Sequence, residues 1–249
     1  MARASRPAGG RRRTSPHAVP PRPGRGKGKK LAITLGAAAV VVVAAILVGT
    51  LTRHRGGTPA APVATVSQAS FPRNGHVEGF PSAPVTMIEY ADLQCPNCAN
   101  FSRTTEAALE QRYVATGKLK IEFRHFPFIG PESTRAAEAA DCAGDQGKFW
   151  EYADAVFASQ RGENHGTFSD QYLTALAGRL GLNTGTFGTC LTSGHHMDQV
   201  KADFEAGQQA GVTGTPTFFI NGQKIVGNQP LSVFEAAIQK ALASAGQGG

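Results

Sequence analysis

The chain has 249 residues, which is enough for one domain of ordinary size with additional segments. Its formal net charge of +7 comes from the N-terminal segment, because residues 1–55 hold twelve Lys and Arg residues and no acid, whereas the rest holds thirteen bases and eighteen acids. A nucleic-acid partner is therefore not expected, since a basic binding surface should lie on the folded domain.

The N-terminal segment predicts a tail followed by a membrane anchor. Residues 1–30 are rich in Pro, Gly and Arg without apolar periodicity, which predicts a disordered basic tail. Residues 31–51 contain no charge, and as a helix they would span about 31 Å, close to the thickness of a bilayer core. Ten Lys and Arg residues precede this run, which places the N-terminus in the cytoplasm.

The predicted localisation is thus the cell membrane, with a single pass and the catalytic domain outside the cytoplasm. A cleaved signal peptide is the alternative to a retained anchor, and it gives the same compartment for the rest of the chain. Residues 52–75 are small, Pro-containing and weakly patterned, which indicates a linker.

The folded domain is predicted at residues 76–246. Val85–Ala91 is apolar and rich in strand-forming residues, so it predicts a central strand. A helix is expected from Cys95 through Tyr113 with Gly117 as its end, and residues 119–126 alternate as a second strand.

The second half of the domain predicts a helical insertion and then a β-β-α unit. Residues 217–220 and 224–226 form a predicted hairpin about Asn221-Gly222. Helical periodicity in residues 133–143, 148–159, 169–180 and 197–210 predicts a helical insertion at about 130–210. The same periodicity in residues 231–243 predicts a closing helix. The fold class is therefore α/β.

Cys95 and Cys98 form a CxxC motif that allows three interpretations. A structural zinc site needs four ligands, and the remaining cysteines, Cys142 and Cys190, do not form a second close pair. A purely structural disulfide would close a very short loop, where the entropic gain is smallest. No metal or organic cofactor is expected, and the redox interpretation is favoured.

The redox interpretation rests on the position of Cys95 between a strand and a helix. Unpaired N–H groups and the helix dipole favour a thiolate there, so Cys95 is the predicted nucleophile. Cys98, one turn later, should be more buried and should act as the resolving thiol. Pro96 suits the first turn because its missing N–H costs nothing there.

Four stretches in the same order resemble the DsbA-like thiol:disulfide oxidoreductases of the thioredoxin superfamily. They are EYADLQCPNC at the motif, FRHFPF after the first helix, AAEAADCAGDQGKFWEYADAVF in the insertion and GVTGTPTFFING near the end. The resemblance covers roughly residues 76–246 and implies a thioredoxin fold with an inserted helical domain.

The resemblance also implies roles for individual residues. Cys95 would be the exposed nucleophile, Pro216 a cis proline beside it, and Thr215 a backbone contact for an extended substrate. Glu89 matches a buried acid that handles the proton of the second thiol, and a carboxylate inside an apolar strand should have a raised pKa. Pro96-Asn97 is the dipeptide that tunes the redox potential.

The four cysteines all follow the predicted anchor, in a compartment where disulfides persist. Cys142 and Cys190 are therefore expected to form a structural disulfide, with a second redox pair or two free buried thiols as the alternatives.

The predicted function is disulfide donation to reduced or unfolded exported proteins by a monomer. The resemblance implies reoxidation by a membrane quinone-linked enzyme of the DsbB or VKOR type. A reductase or isomerase with the same fold, and a non-catalytic holdase or assembly factor, remain open.

Overall fold

The computed structural model describes residues 71–246, in which six strands form one mixed sheet. The strands are β1 (Arg73–Asn74), β2 (Val77–Glu78), β3 (Val85–Ala91), β4 (Leu119–His125), β5 (Thr217–Ile220) and β6 (Gln223–Val226). Their order is β1-β2-β4-β3-β5-β6, with β3 parallel to β4 and antiparallel to β5. The predicted strand Val85–Ala91 is thus central, as its apolar sequence indicates.

Helices cover the sheet and form the insertion. They are α1 (Pro96–Phe101), α2 (Ala107–Leu109), α3 (Pro131–Gly144), α4 (Phe149–Ala158), α5 (Asp170–Arg179), α6 (Thr184–Ser193), α7 (Met197–Gln209) and α8 (Leu231–Ala245). Two π-helical segments, Ser102–Glu106 and Glu110–Val114, follow α1 and α2, so that one helical run connects β3 to β4 as predicted. Helices α3 to α7 lie between β4 and β5 and form the expected insertion in a thioredoxin fold.

Most element boundaries follow from local signals in the sequence. The side chain of Ser169 accepts a hydrogen bond from the Tyr172 N–H and caps α5, as its position predicts. Asn221 and Gly222 have φ values of 42° and 87°, the left-handed conformation that the two-residue hairpin turn requires.

Two parts of the fold differ from the prediction. Residues 71–75 belong to the folded domain and not to the linker, because Phe71 is buried in the core and β1 pairs with β2. Helix α6 was not predicted, since its sequence TGTFGTCLTS is rich in Gly and Thr. The cap of Asn183 on the Thr186 N–H and the burial of Phe187 and Leu191 compensate for that weak propensity.

The thioredoxin core packs aromatic rings from three elements. Phe101 of α1 lies 4.4 Å from Phe218 of β5 and 5.3 Å from Phe234 of α8, measured between ring centroids. All three side chains are fully buried. Each contributes about 1.5–3 kcal/mol of burial free energy, so this cluster holds α1, and with it the CxxC motif, against the sheet.

The insertion is held by a disulfide and by a buried carboxylate. Cys142 of α3 is bonded to Cys190 of α6 with a Cα–Cα distance of 5.8 Å, which confirms the predicted pairing. The adjacent Asp141 is buried, and its Oδ1 lies 2.6 Å from His76 Nε2 and 3.0 Å from His125 Nε2. These contacts join the β1–β2 loop, β4 and α3.

Between residues 71 and 246, no helix has both the length and the apolar character needed to cross a bilayer. The predicted tail at 1–30, the predicted anchor at 31–51 and most of the predicted linker lie outside the described residues.

Candidate active site

Cys95 occupies the N-cap position of α1, directly after the central strand. Its backbone is extended (φ −72°, ψ 120°), and Pro96 is the first helical residue, as predicted. The Cys95 N–H donates to the Asp92 carbonyl at 2.9 Å, and the Cys95 carbonyl accepts from the Ala99 N–H at 3.1 Å. The sequence therefore forms a tight strand-to-helix turn that directs the first-turn N–H groups at the Cys95 sulfur.

The Cys95 sulfur is less exposed than predicted. Cys95 is 5% exposed and Cys98 is fully buried, while Pro96 and Asn97 between them are exposed. The prediction that Cys95 is exposed is therefore wrong, although Cys98 is, as expected, the more buried of the two thiols. The Cys95 sulfur lies 3.4 Å from the carbonyl oxygen of Thr215, so the loop before β5 covers part of it.

The two thiols have opposite electrostatic environments. Hydrogen bonding by the Cys98 side chain, working against burial, lowers the pKa of Cys95 to about 6, and the N–H groups of Asn97 and Cys98 contribute to the same effect. Burial raises the pKa of Cys98 well above its ordinary value, and the neighbouring sulfur raises it further. At neutral pH Cys95 is therefore a thiolate beside a protonated Cys98.

The loop before β5 supplies the second wall of the site. The Thr215–Pro216 peptide bond is cis, as the sequence context predicts. Pro216 is buried, and the Thr217 hydroxyl donates to the Gly214 carbonyl at 2.7 Å, which fixes the loop where β5 begins. Because β5 pairs with β3, Thr215 is held beside the end of the strand that leads to Cys95.

Glu89 lies on β3 and is 1% exposed. Burial raises its pKa well above the ordinary value, and the neighbouring acids Glu106 and Glu78 add to the effect. Its charge in turn raises the pKa of Cys98, so the carboxyl group lies within electrostatic reach of that thiol. The apolar strand sequence predicts this burial, but the two acidic neighbours come from distant segments that the motif does not indicate.

Asp92 shapes the site, although its position in the sequence predicts no catalytic role for it. Its Oδ1 accepts the Gln94 N–H at 2.8 Å, and its Oδ2 accepts the N–H groups of Phe128 and Ile129 at 3.0 Å each. The carboxylate thus ties the loop that carries Cys95 to the loop after β4. An acid two residues before a backbone donor is the local signal that indicates such a turn.

The insertion also contacts the motif directly. The Gln160 side-chain amide donates to the carbonyls of Leu93 at 2.9 Å and Cys95 at 3.1 Å. The Gln94 side chain accepts the Asn164 N–H at 2.7 Å and donates to the Ser133 hydroxyl at 2.9 Å. These contacts are nonlocal, and no sequence signal predicts them.

Three groups of metal-ligand side chains lie together within residues 71–246, and none includes Cys95 or Cys98. In the group His76, His125 and Asp141, both imidazoles share one carboxylate oxygen at hydrogen-bond distance. In the group Cys142, Cys190 and His196, both sulfurs are in the disulfide. The third group, Asp145 with His195 and His196, lies on the surface. The CxxC chemistry is thus separate from these groups.

Comparisons with known proteins agree with this geometry. The family described as Thioredoxin matches residues 72–240. The Na(+)/H(+) antiporter NhaA 3 of Salinispora tropica is 35% identical over 176 residues, which are 70% of this chain but 26% of that protein. The chain therefore spans about a quarter of the length of this curated relative.

Two further matches cover most of the other protein. The probable disulfide bond formation protein D of Bacillus anthracis is 28% identical over 66% of this chain and 76% of its own length. The crystal structure of Wolbachia pipientis alpha-DsbA1 aligns with a TM-score of 0.62 and 29% identity, over 70% of this chain and 94% of that chain. The chain thus belongs to the thioredoxin family, and within it the chain is similar to the DsbA-like thiol:disulfide oxidoreductases.

Proposed function

We propose that the chain is an extracytoplasmic thiol:disulfide oxidoreductase that donates the Cys95–Cys98 disulfide to reduced or unfolded exported proteins. The observation that supports it most directly is the contrast between the two thiols: the pKa of Cys95 is lowered to about 6, whereas that of Cys98 is raised. Stabilisation of the Cys95 thiolate favours the reduced pair and so makes the disulfide a stronger oxidant.

The reaction proceeds by two exchanges. A substrate thiolate attacks the Cys95 sulfur, a substrate–Cys95 bond forms, the Cys95–Cys98 bond breaks, and Cys98 leaves as a thiolate that takes up a proton. A second substrate thiolate then attacks the substrate sulfur of this mixed disulfide and releases Cys95 as a thiolate. The two electrons of the substrate dithiol thus end on the Cys95–Cys98 pair.

In this proposal the surrounding residues bind substrate and manage the proton. An extended substrate segment binds along Thr215 and Pro216, and the exposed dipeptide Pro96-Asn97 tunes the potential. Phe128 is 47% exposed on the loop that Asp92 fixes to the site, so it offers an apolar contact for unfolded chains. Glu89 serves as the acid and base for Cys98.

The proposal also includes the location and the redox partner. The uncharged segment at residues 31–51 would anchor the chain in the membrane, with the domain outside the cytoplasm. The likeness to DsbA-like proteins supports a membrane quinone-linked reoxidase of the DsbB or VKOR type as the electron acceptor.

The reduction potential of the Cys95–Cys98 pair in the full-length chain tests this proposal. Equilibration with glutathione should give a value near about −120 mV for a disulfide donor. A value near about −270 mV would contradict the donor role and indicate a reductase. A Cys98→Ser variant should accumulate mixed disulfides through Cys95, and equal binding of unfolded proteins without either cysteine would instead indicate a holdase.

A further inference from the structure

Cys98 must exchange a proton in each cycle, yet it has no direct access to solvent. Cys98 is fully buried, and Glu89, its proposed acid and base, is only 1% exposed. During turnover a bound substrate covers the Cys95 side of the motif as well. A proton that Glu89 gives to Cys98 therefore has to be replaced through other groups.

A second buried glutamate lies close to Glu89. Glu106 lies in the π-helical segment Ser102–Glu106 and is 7% exposed, and after burial its side chain is the largest influence that raises the pKa of Glu89. Two buried carboxyl groups this close to each other favour a state in which at least one of them carries a proton. Within residues 71–246, Glu89 Oε2 and Glu106 Oε1 are buried without a hydrogen-bond partner, so each group has a free oxygen that can give or take a proton.

Further charged groups surround this pair. Glu78 of β2 is fully buried, and Arg73 of β1 donates to it at 3.0 Å and to Glu110 at 2.7 Å. One arginine cannot balance three buried carboxyl groups, so protons are retained within the cluster. Burial, with contributions from Asp154 and Glu110, raises the pKa of Glu106 to about 8, while burial raises that of Glu78 to about 10.

Asp154 of α4 connects the cluster to the surface. It is exposed, accepts the Ser102 hydroxyl at 3.2 Å, and contributes the largest charge effect on Glu106. Burial decreases in the order Cys98, Glu89, Glu106 and Asp154, from a fully buried thiol to an exposed carboxylate.

We propose that Glu106 relays protons between Glu89 and the solvent at Asp154, so that Cys98 exchanges its proton while the substrate side of the site stays closed. This inference rests on the proposed redox function of Cys95 and Cys98. When Cys98 leaves as a thiolate, it takes the proton of Glu89, Glu89 takes the proton of Glu106, and solvent reprotonates Glu106. When Cys98 attacks, the same protons move in the opposite direction.

Glu106→Gln tests the relay, because the amide keeps the size of a protonated carboxyl group but does not titrate. The reduced full-length protein is mixed with glutathione disulfide. In the first step the Cys95 thiolate attacks and releases one glutathione thiolate. In the second step Cys98 gives up its proton and attacks Cys95, which releases the other glutathione.

In Glu106→Gln we expect the rate of the second step to fall by about tenfold near neutral pH, which is less than the usual effect of general acid-base catalysis. The rate of this step should also stop depending on pH between about 7 and 9. The first step should stay unchanged, because it needs no proton from Cys98. Glu138→Gln is the matched control, since Glu138 is also fully buried but lies on α3, where it pairs with Arg135. Thermal unfolding of both variants checks that each is folded.

The outcomes separate the relay from the proposed function. An unchanged second step and pH profile in Glu106→Gln would overturn the relay alone, as would equal slowing in Glu138→Gln. If the wild-type protein formed no mixed disulfide at Cys95, both the redox function and the relay would be overturned. A misfolded Glu106→Gln variant would assign Glu106 a structural role and would also contradict the relay.

Discussion

The Cys98→Ala variant should raise the pKa of Cys95 and make it a poorer nucleophile. Hydrogen bonding by the Cys98 side chain is the largest influence that lowers the pKa of Cys95 to about 6. A hydrogen bond to a charged group contributes about 1.5–3 kcal/mol, and one pKa unit corresponds to about 1.36 kcal/mol. Loss of this donor should therefore move the pKa of Cys95 up by about one to two units, to about 7–8.

Thiolate absorbance measured against pH gives the titration directly, and the rate of alkylation by iodoacetamide gives it independently. At pH 6 the thiolate fraction, and with it the alkylation rate, should fall by about five- to fiftyfold if the pKa rises by one to two units. Cys98→Ser is the matched control, because its hydroxyl group can still donate to the Cys95 sulfur. The pKa of Cys95 in this variant should lie closer to the wild-type value than in Cys98→Ala.

An unchanged pKa in Cys98→Ala would refute this reasoning. The low pKa of Cys95 would then have to come from the first-turn N–H groups of Asn97 and Cys98, which the substitution leaves in place. A rise in both Cys98→Ala and Cys98→Ser would instead indicate that the thiol itself, and not any donor at this position, is required.

Two further predictions concern the stability of the domain. Replacing both Cys142 and Cys190 by Ala should lower the free energy of unfolding by about 4 kcal/mol. The disulfide joins residues 48 positions apart and so restricts the unfolded chain, and its loss gives the unfolded state more conformational entropy. An unchanged midpoint of urea unfolding would contradict this argument. Burial alone would raise the pKa of Asp141, but His125 and His76 hold this pKa below its usual value. The ionised Asp141 therefore stabilises the fold above about pH 4, and this stabilisation is lost as the pH falls further. Wild-type protein should therefore lose stability more steeply than Asp141→Asn in acid, and parallel urea-unfolding curves across that pH range would show that the interaction with His76 and His125 contributes nothing.

The sequence predicts those parts of the fold that depend on local signals. The strand VTMIEYA, the Asn221-Gly222 turn and the Ser169 cap all have fixed short-range patterns, and the structure has each of them. Helix α6 lacks such a pattern, because its stability comes from Phe187 and Leu191 packed in the insertion. Propensity alone could not indicate it.

The candidate site also has a part that the sequence predicts and a part that only the fold reveals. The order strand, Cys95, Pro96, Cys98 sets the local turn and the direction of the helix dipole, so the contrast between the two thiols follows from the sequence. The neighbours of Glu89 do not, because Glu78 and Glu106 are brought to it by the pairing of β2 with β4 and by the packing of the helix after β3. Charge interactions between distant segments require the fold.

The insertion contributes to the site and does more than cover the sheet. Gln160 binds the carbonyl of Cys95, and Asn164 binds the side chain of Gln94, so the segment between α4 and α5 holds both sides of the strand-to-helix turn. Asp154, which lies at the solvent end of the proposed proton path, is on α4 of the same insertion. A shift of α4 relative to the sheet would therefore change the position of the Cys95 backbone and the environment of Glu106 together. In the proposed reaction, Cys95, Cys98 and the helical insertion should therefore act as one unit. The sheet and the helices outside the insertion lack both the Gln160 hydrogen bond to the Cys95 carbonyl and the exposed end of the proposed proton path.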